Sequence, residues 1–293
     1  EKLESLCGRY DSCVKYVRKI NDERNVEDPS KPSTAKSLKK HEAPKITMLI
    51  VNDMKHKQKY ATNTKNLKNY ARKNDYTFVE KTSDNEHRCN HVTNFFFKKH
   101  CIVYYYMVDS VNNNGWIFVL DGDNYVRNPN TKIRLESFVK NEKDIMYYYR
   151  FHNNEIAAGN YAIKNTQWSQ DYLKAYYKLH NAYKGYNDDN GALHYYLLPD
   201  KKKCDKFYLN PSSSLTLYDK YVGCVHKELQ AANFPLQEHI FVYKHGKAWT
   251  YDGWVVDNKW SKDTLMHHAI KKPRNENKYT DKKELKNLLE ESL

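Results

Sequence analysis

The chain has no long apolar run. Its longest, residues 102–108 (IVYYYMV) and 117–120 within WIFVL, fall far short of the roughly 20 residues that span a bilayer. No CxxC pair occurs among the six cysteines, which speaks against a zinc ribbon or a thioredoxin-like motif. No Asn-x-Ser/Thr acceptor is present once Asn210, followed by Pro211, is set aside. There is no internal repeat and no low-complexity tract. The chain opens at Glu1 with no signal sequence at its start, and the expectation is a form whose membrane anchor has been removed. A basic stretch interleaved with a nucleic-acid motif is also missing, so nucleic acid is not an expected partner.

What is present is a 293-residue chain, 40% hydrophobic, long enough for one large domain with an ample core. The net charge of +13 favours anionic partners, although lysines scattered on a surface also serve solubility alone. An even number of cysteines permits disulfides and a secretory compartment. Cys7 and Cys13 cannot bridge within one helix, since six residues at about 1.5 Å rise separate them by about 9 Å. Cys204 and Cys224 bracket a loop-rich stretch and are the expected pair.

Apolar residues at spacings of three and four (Leu3, Leu6, Tyr10, Val14, Val17, Ile20) predict an amphipathic helix over 1–22. Residues 23–44, rich in proline and charge, read as a linker. The main domain spans 45–272, and 273–293 reads as a polar tail ending in a short helix. Within the domain, KITMLIVND (45–53), YTFVEK (76–81) and WIFVLD (116–121) read as strands. A helical pattern with Leu67, Tyr70 and Ala71 separates the first two, and a helix over 91–108 the last two. That alternation predicts an α/β domain with a mostly parallel central sheet and helices on both faces. Ligands bind such sheets outside the carboxyl ends of the strands, where Asn52–Asp53 and Asp121–Gly122–Asp123 fall.

Asp-Gly between strand-like residues is also a hairpin signal. Against it, the strand before it is wholly apolar and therefore central. Asp121 and Asp123 would point the same way from extended chain, and paired like charges call for a cation. The glycine would let a ligand approach the backbone. Oxygen ligands suit Mn²⁺ or Mg²⁺.

LDGDNYVRNP resembles the Asp-x-Asp segment of GT-A (Rossmann-like) glycosyltransferases, which use nucleotide-diphosphate sugars. EIAAGNYAIKNTQWSQDYL (155–173), DDNGALHYYL (188–197) and WSKDTLMHHA (260–269) resemble, in order, segments of glycosyltransferase family 34, the galactosyl- and xylosyltransferases. HGKAWTYDGWVVDNKWS (245–261) and the His-Cys pair at 100–101 bring the chain closer to a nematode-expanded group, the domain of unknown function 273. The resemblance covers about 45–272. It implies a metal site of Asp121, Asp123 and His267, with His268 leaving the register open by one residue. Asp121 and Asp123 would also hold the nucleotide, and Ala158 and Gly159 would lie near the donor sugar, with Ala157 where the family has asparagine. It places Asp189 and Asn190 at the sugar and the acceptor as the catalytic pair, Asp189 being the candidate nucleophile or stabiliser, and Lys271, with Lys99 as a second candidate, at the diphosphate. It implies a UDP-sugar donor, galactose before xylose, a glycan or glycoprotein acceptor, retention of configuration and a Golgi-lumen location through an anchor outside this chain.

Other roles compete. Asp189 could cap the helix of GALHYYLL, and His267 could be a hydrogen-bonded core histidine. His194, Asn165 and Trp168 read as structural. Trp168, Trp249, Trp254 and Trp260 could stack on sugar faces or fill the core. A transferase fold that has lost catalysis and keeps a nucleotide or glycan is the alternative to an enzyme.

Overall fold

The computed structural model describes residues 44–110, 115–128, 130–150, 153–207, 215–231, 238–252 and 264–268. The expected helix over 1–22, linker residues 23–43, the 273–293 tail, Cys7, Cys13, Trp254, Trp260 and Lys271 lie outside them.

Strand β1 (Ile46–Asn52) is buried along its whole length. Asp53 then starts helix α1 (Met54–Lys59), its carboxylate accepting from the His56 N–H at 2.7 Å. Helix α2 (Ala61–Lys73) buries Leu67, Tyr70 and Ala71, and leads to β2 (Thr77–Thr82). Helix α3 (Phe95–Asp109) is capped by Asn94, whose side chain accepts from the Phe96 N–H. Then come β3 (Trp116–Leu120), β4 (Tyr125–Val126), β5 (Ile145–Tyr148) and β6 (Tyr161–Lys164). Helices α4 (Gln167–Tyr177), α5 (Asp188–Leu197) and α6 (Leu215–Ala231) precede β7 (Ile240–Tyr243), β8 (Thr250–Asp252) and β9 (Met266–His268).

Six strands form the central sheet in the order β2-β1-β3-β6-β5-β7. The pairs β1/β2, β1/β3 and β5/β7 are parallel, while β6 runs against both its neighbours. The expected α/β architecture is therefore present, with β6 as the reversed strand. Its reversal sets the site, because the start of β6 lies beside the end of β3. Val119 pairs with Tyr161, so residues 158–160 sit next to Asp121. By the same antiparallel logic the carboxyl end of β5 reaches that edge too.

The central strands are apolar throughout because both faces are covered. Leu49, Val51, Ile117 and Val119 enter one core with α3 to α6. Met48, Ile50, Trp116, Phe118 and Leu120 enter the other with α2 and a small sheet of order β4-β9-β8. Trp249 is fully buried there, edge-on to Phe118 at 5.0 Å. Trp168 stacks on His239 at 4.0 Å between centroids. Asn165 donates to the carbonyls of Met107 and Ser110, tying the end of α3 to β6. The disulfide Cys204–Cys224 forms as the spacing suggested, and Cys89–Cys101 forms a second. Among the described residues, no helix is long and apolar enough to cross a membrane.

Candidate active site

Asp121 to Asn124 form a tight turn, with the Asn124 N–H donating to the Asp121 carbonyl at 3.1 Å. The turn does not return the chain along β3, because β4 pairs with β9. So the segment turns without making a hairpin, and both acids stay at the carboxyl edge of the sheet. A Cβ on Gly122 would fall 2.4 Å from Asn52 Oδ1. The glycine therefore makes room for the buried Asn52 at the end of β1.

Adjacent residues on a strand face opposite ways, and cross-strand partners share a face. In β9, His268 pairs with Asp252, while His267 pairs with Tyr125 and Tyr251. The histidine brought to the two acids is consequently His268, not His267. His268 Nε2 lies 3.1 Å from Asp121 Oδ2 and 3.3 Å from Asp123 Oδ1. One ligand atom from each of Asp121, Asp123 and His268 lies within 4.8 Å of the others. His267 is buried on the other face, and burial with the nearby Arg127 charge drives its pKa down to about 2. For His268 burial works downward too, but Asp123 and Asp252 outweigh it and hold the pKa well above the ordinary value.

Lys99 is a buried ammonium on helix α3, next to the buried His100. It donates to Asp121 Oδ1 at 2.9 Å and lies 3.7 Å from Asp189 Oδ2. Its ammonium thus clamps two carboxylates of the site. Burial pushes the Asp121 pKa up, yet Lys99 and His268 prevail and hold it below the carboxylate range. Asp189 does not cap α5, since the residue at the cap is Asn187 and the Asp189 carboxylate turns to His100 Nε2 at 3.1 Å. Asn190 Oδ1 accepts from the Ala158 N–H at 2.9 Å, joining α5 to the small pair. A Cβ on Gly159 would stand 2.1 Å from Asp121 Oδ2, so this glycine gives that oxygen its space.

Several residues at the site escape sequence reasoning. Asn160 Oδ1 accepts from the Asp121 N–H at 3.0 Å and from Asn124 Nδ2 at 2.6 Å. Asp252 accepts from His268 Nδ1, and Arg150 donates to both Asp252 and Glu155. Burial raises the Asp252 pKa, but Arg150 and His268 hold it well below the ordinary range. His194 Nε2 accepts from the Ile156 N–H at 3.0 Å while its Nδ1 faces the Asn190 carbonyl, a structural role. The one available sign was charge on otherwise apolar segments, as in IMYYYR and WTYD.

The family model described as a protein of unknown function, DUF273, matches residues 67–286. The chain belongs to this family. No curated protein matches it. A solved glycosyltransferase, involved in the glycosylation of the major capsid of PBCV-1, has the same fold at 14% identity. The two superpose with a TM-score of 0.51, covering 85% of this chain and 98% of that one. The DUF273 domain here is thus glycosyltransferase-like in fold, and its acid cluster lies where α/β sheets bind ligands.

Proposed function

We propose that this DUF273 protein is a metal-dependent glycosyltransferase of GT-A type. It moves a hexose, galactose first, from a UDP-sugar to a glycan or glycoprotein acceptor with retention of configuration. The observation that carries the reading is the convergence of Asp121, Asp123 and His268 at the carboxyl edge of the sheet.

The donor set fits a divalent ion. Two carboxylates and one imidazole suit Mn²⁺, with Mg²⁺ next. Asp252 takes the Nδ1 side of His268, which aims Nε2 at the acids, the arrangement by which outer carboxylates orient a ligating histidine. Five carboxyl groups (Asp121, Asp123, Asp189, Asp252, Glu155) meet the cationic Lys99 and Arg150, and with His268 neutral as a ligand the formal surplus is three negative charges, which one dication would reduce to one. Bound there, the ion would supply charge neutralisation for a departing diphosphate.

The chain's own residues do the rest by holding geometry. Lys99 fixes Asp121, and Asn190 fixes the backbone at Ala158. Asp189 is 2% exposed and engaged by His100 and Lys99, which argues against its acting as a nucleophile. Front-face attack then suits the site. The acceptor oxygen bonds to the anomeric carbon as the bond to phosphate breaks, and the hydroxyl proton passes to the departing phosphate oxygen. Lys271 stays a candidate diphosphate contact. The disulfides Cys89–Cys101 and Cys204–Cys224 suit an oxidising compartment, and the reading assigns the protein to the Golgi lumen.

A mass-spectrometric screen of UDP-hexoses with and without Mn²⁺ tests activity and donor together. Asp123→Ala is expected to abolish transfer with circular dichroism unchanged, and full activity in that variant would overturn the metal assignment. The burial of Asp189 also suits a binding module without catalysis. Mn²⁺-dependent thermal stabilisation by UDP, with no turnover of any donor, would favour it.

A further inference from the structure

Glu155 lies between β5 and β6, three residues before Ala158, and has no ligand or sugar role in the reading above. It is 1% exposed. One carboxylate oxygen accepts from Arg150 at 2.5 Å. The other accepts from Asn187 Nδ2 at 2.6 Å and from the Tyr218 hydroxyl. An acid so buried is stable only when it is paired and hydrogen-bonded, and these three donors meet that need. The partners point in two directions. Arg150 continues to Asp252, and Asp252 to His268. Asn187 stands at the head of α5, just before Asp189 and Asn190.

That head is strained. Asn187 and Asp188 both have left-handed backbone, with φ of 65° and 43°. Such backbone in a residue other than glycine persists where the surroundings over-determine it. Two side-chain ties do so here: Glu155 holds Asn187, and Asn94 holds Asp188 at 2.7 Å. If the turn relaxed, the start of α5 would rotate and carry Asp189 and Asn190 out of place.

We infer that Glu155 is a positioning residue shared by the two halves of the site. Through Arg150 and Asp252 it sets the histidine of the metal cluster, and through Asn187 it sets the head of α5. For its catalytic consequence the inference rests on the function proposed above, but each half also has a readout that needs no turnover.

The test uses the full chain and three variants. Glu155→Gln removes the charge that steadies Arg150, and Mn²⁺ affinity, read by electron paramagnetic resonance, is expected to fall about tenfold, the lower end of what outer-shell losses cost. Asn187→Gly keeps a residue suited to left-handed backbone while cutting the tie to Glu155. It is expected to leave Mn²⁺ affinity unchanged, to speed hydrogen exchange at the Gly191 N–H, which bonds to the Asn187 carbonyl, and to lower kcat with little change in donor KM. Tyr218→Phe removes a bond to the same carboxylate and one to Asn187, so it should move exchange at Gly191 and kcat in the direction of Asn187→Gly while Mn²⁺ affinity stays within twofold. Unchanged Mn²⁺ affinity in Glu155→Gln, or unchanged exchange at the Gly191 N–H in Asn187→Gly, would overturn the inference. A wild-type chain that binds Mn²⁺ but transfers no sugar would overturn the proposed function alone, since the metal and exchange readouts still decide the role of Glu155.

Discussion

Adding one methyl group at Gly159 should disable the acid cluster without touching any charged residue. The new Cβ would stand 2.1 Å from Asp121 Oδ2 and 2.9 Å from its Cγ, where ordinary contact begins near 3.4 Å. A free carboxylate would swing aside, but this one is pinned. Lys99 holds Oδ1 at 2.9 Å, His268 faces Oδ2 at 3.1 Å, and Asn160 holds the backbone N–H at 3.0 Å. Either Asp121 gives up these partners or the start of β6 moves. Overpacking of this kind costs about 1–3 kcal/mol, and metal ligands tolerate displacements of only about 0.2 Å. We expect Gly159→Ala to weaken Mn²⁺ binding by at least tenfold, as even outer-shell losses do. The assay is denaturation with and without Mn²⁺, each protein serving as its own reference. At a Mn²⁺ concentration about 100 times the wild-type Kd, wild type gains about 2.7 kcal/mol. At the same concentration the variant should gain about 1.4 kcal/mol for a tenfold loss and about 0.4 kcal/mol for a hundredfold loss. A variant that gains as much as wild type would refute the reasoning, because Oδ2 would not then be needed at the metal.

Neighbouring histidines give a second check. His268→Ala should abolish Mn²⁺-dependent stabilisation, whereas His267→Ala should lower stability and keep Mn²⁺ affinity; isothermal titration calorimetry separates them. The pH dependence of stability should carry a signature of His194, whose pKa burial lowers. The unfolded chain then binds a proton that the folded one refuses, so its contribution is complete above about pH 6.5 and lost as pH falls toward the folded value, with a slope of up to about 1.4 kcal/mol per unit. His194→Gln should flatten the curve there, and an identical slope would count against a neutral buried imidazole. Removing the Cys89–Cys101 bridge with a double alanine variant should cost roughly 3 kcal/mol by loop-closure entropy, since 12 residues separate the cysteines. Unchanged urea denaturation would contradict that cost.

Much of the fold was legible from local pattern. The apolar runs of β1 and β3 are continuous because both faces of a central strand are covered, and continuity of that kind survives in a sequence. Asp121 and Asp123 stood out because charge directly after such a run marks a strand end. The Asp-Gly ambiguity came from the same locality, since a turn and a charged site need the same residues, and only the partner of β4 tells them apart. The clamp that Lys99 makes was not legible, because its two carboxylates lie 22 and 90 residues further along the chain. His268 was hidden by one position.

The sequence by itself determined where the strands end and which acids gather there, because strand period, apolar continuity and turn chemistry act over a few neighbouring residues. Only the tertiary structure decided which side chains meet those acids. The reversal of β6 brought Gly159 and Asn160 to Asp121. The pairing of β9 with β8 turned His268 toward Asp252 and His267 away. Burial drew Arg150, Asp252 and Glu155 into one network, because charges deep in a fold must find partners wherever the chain happens to supply them.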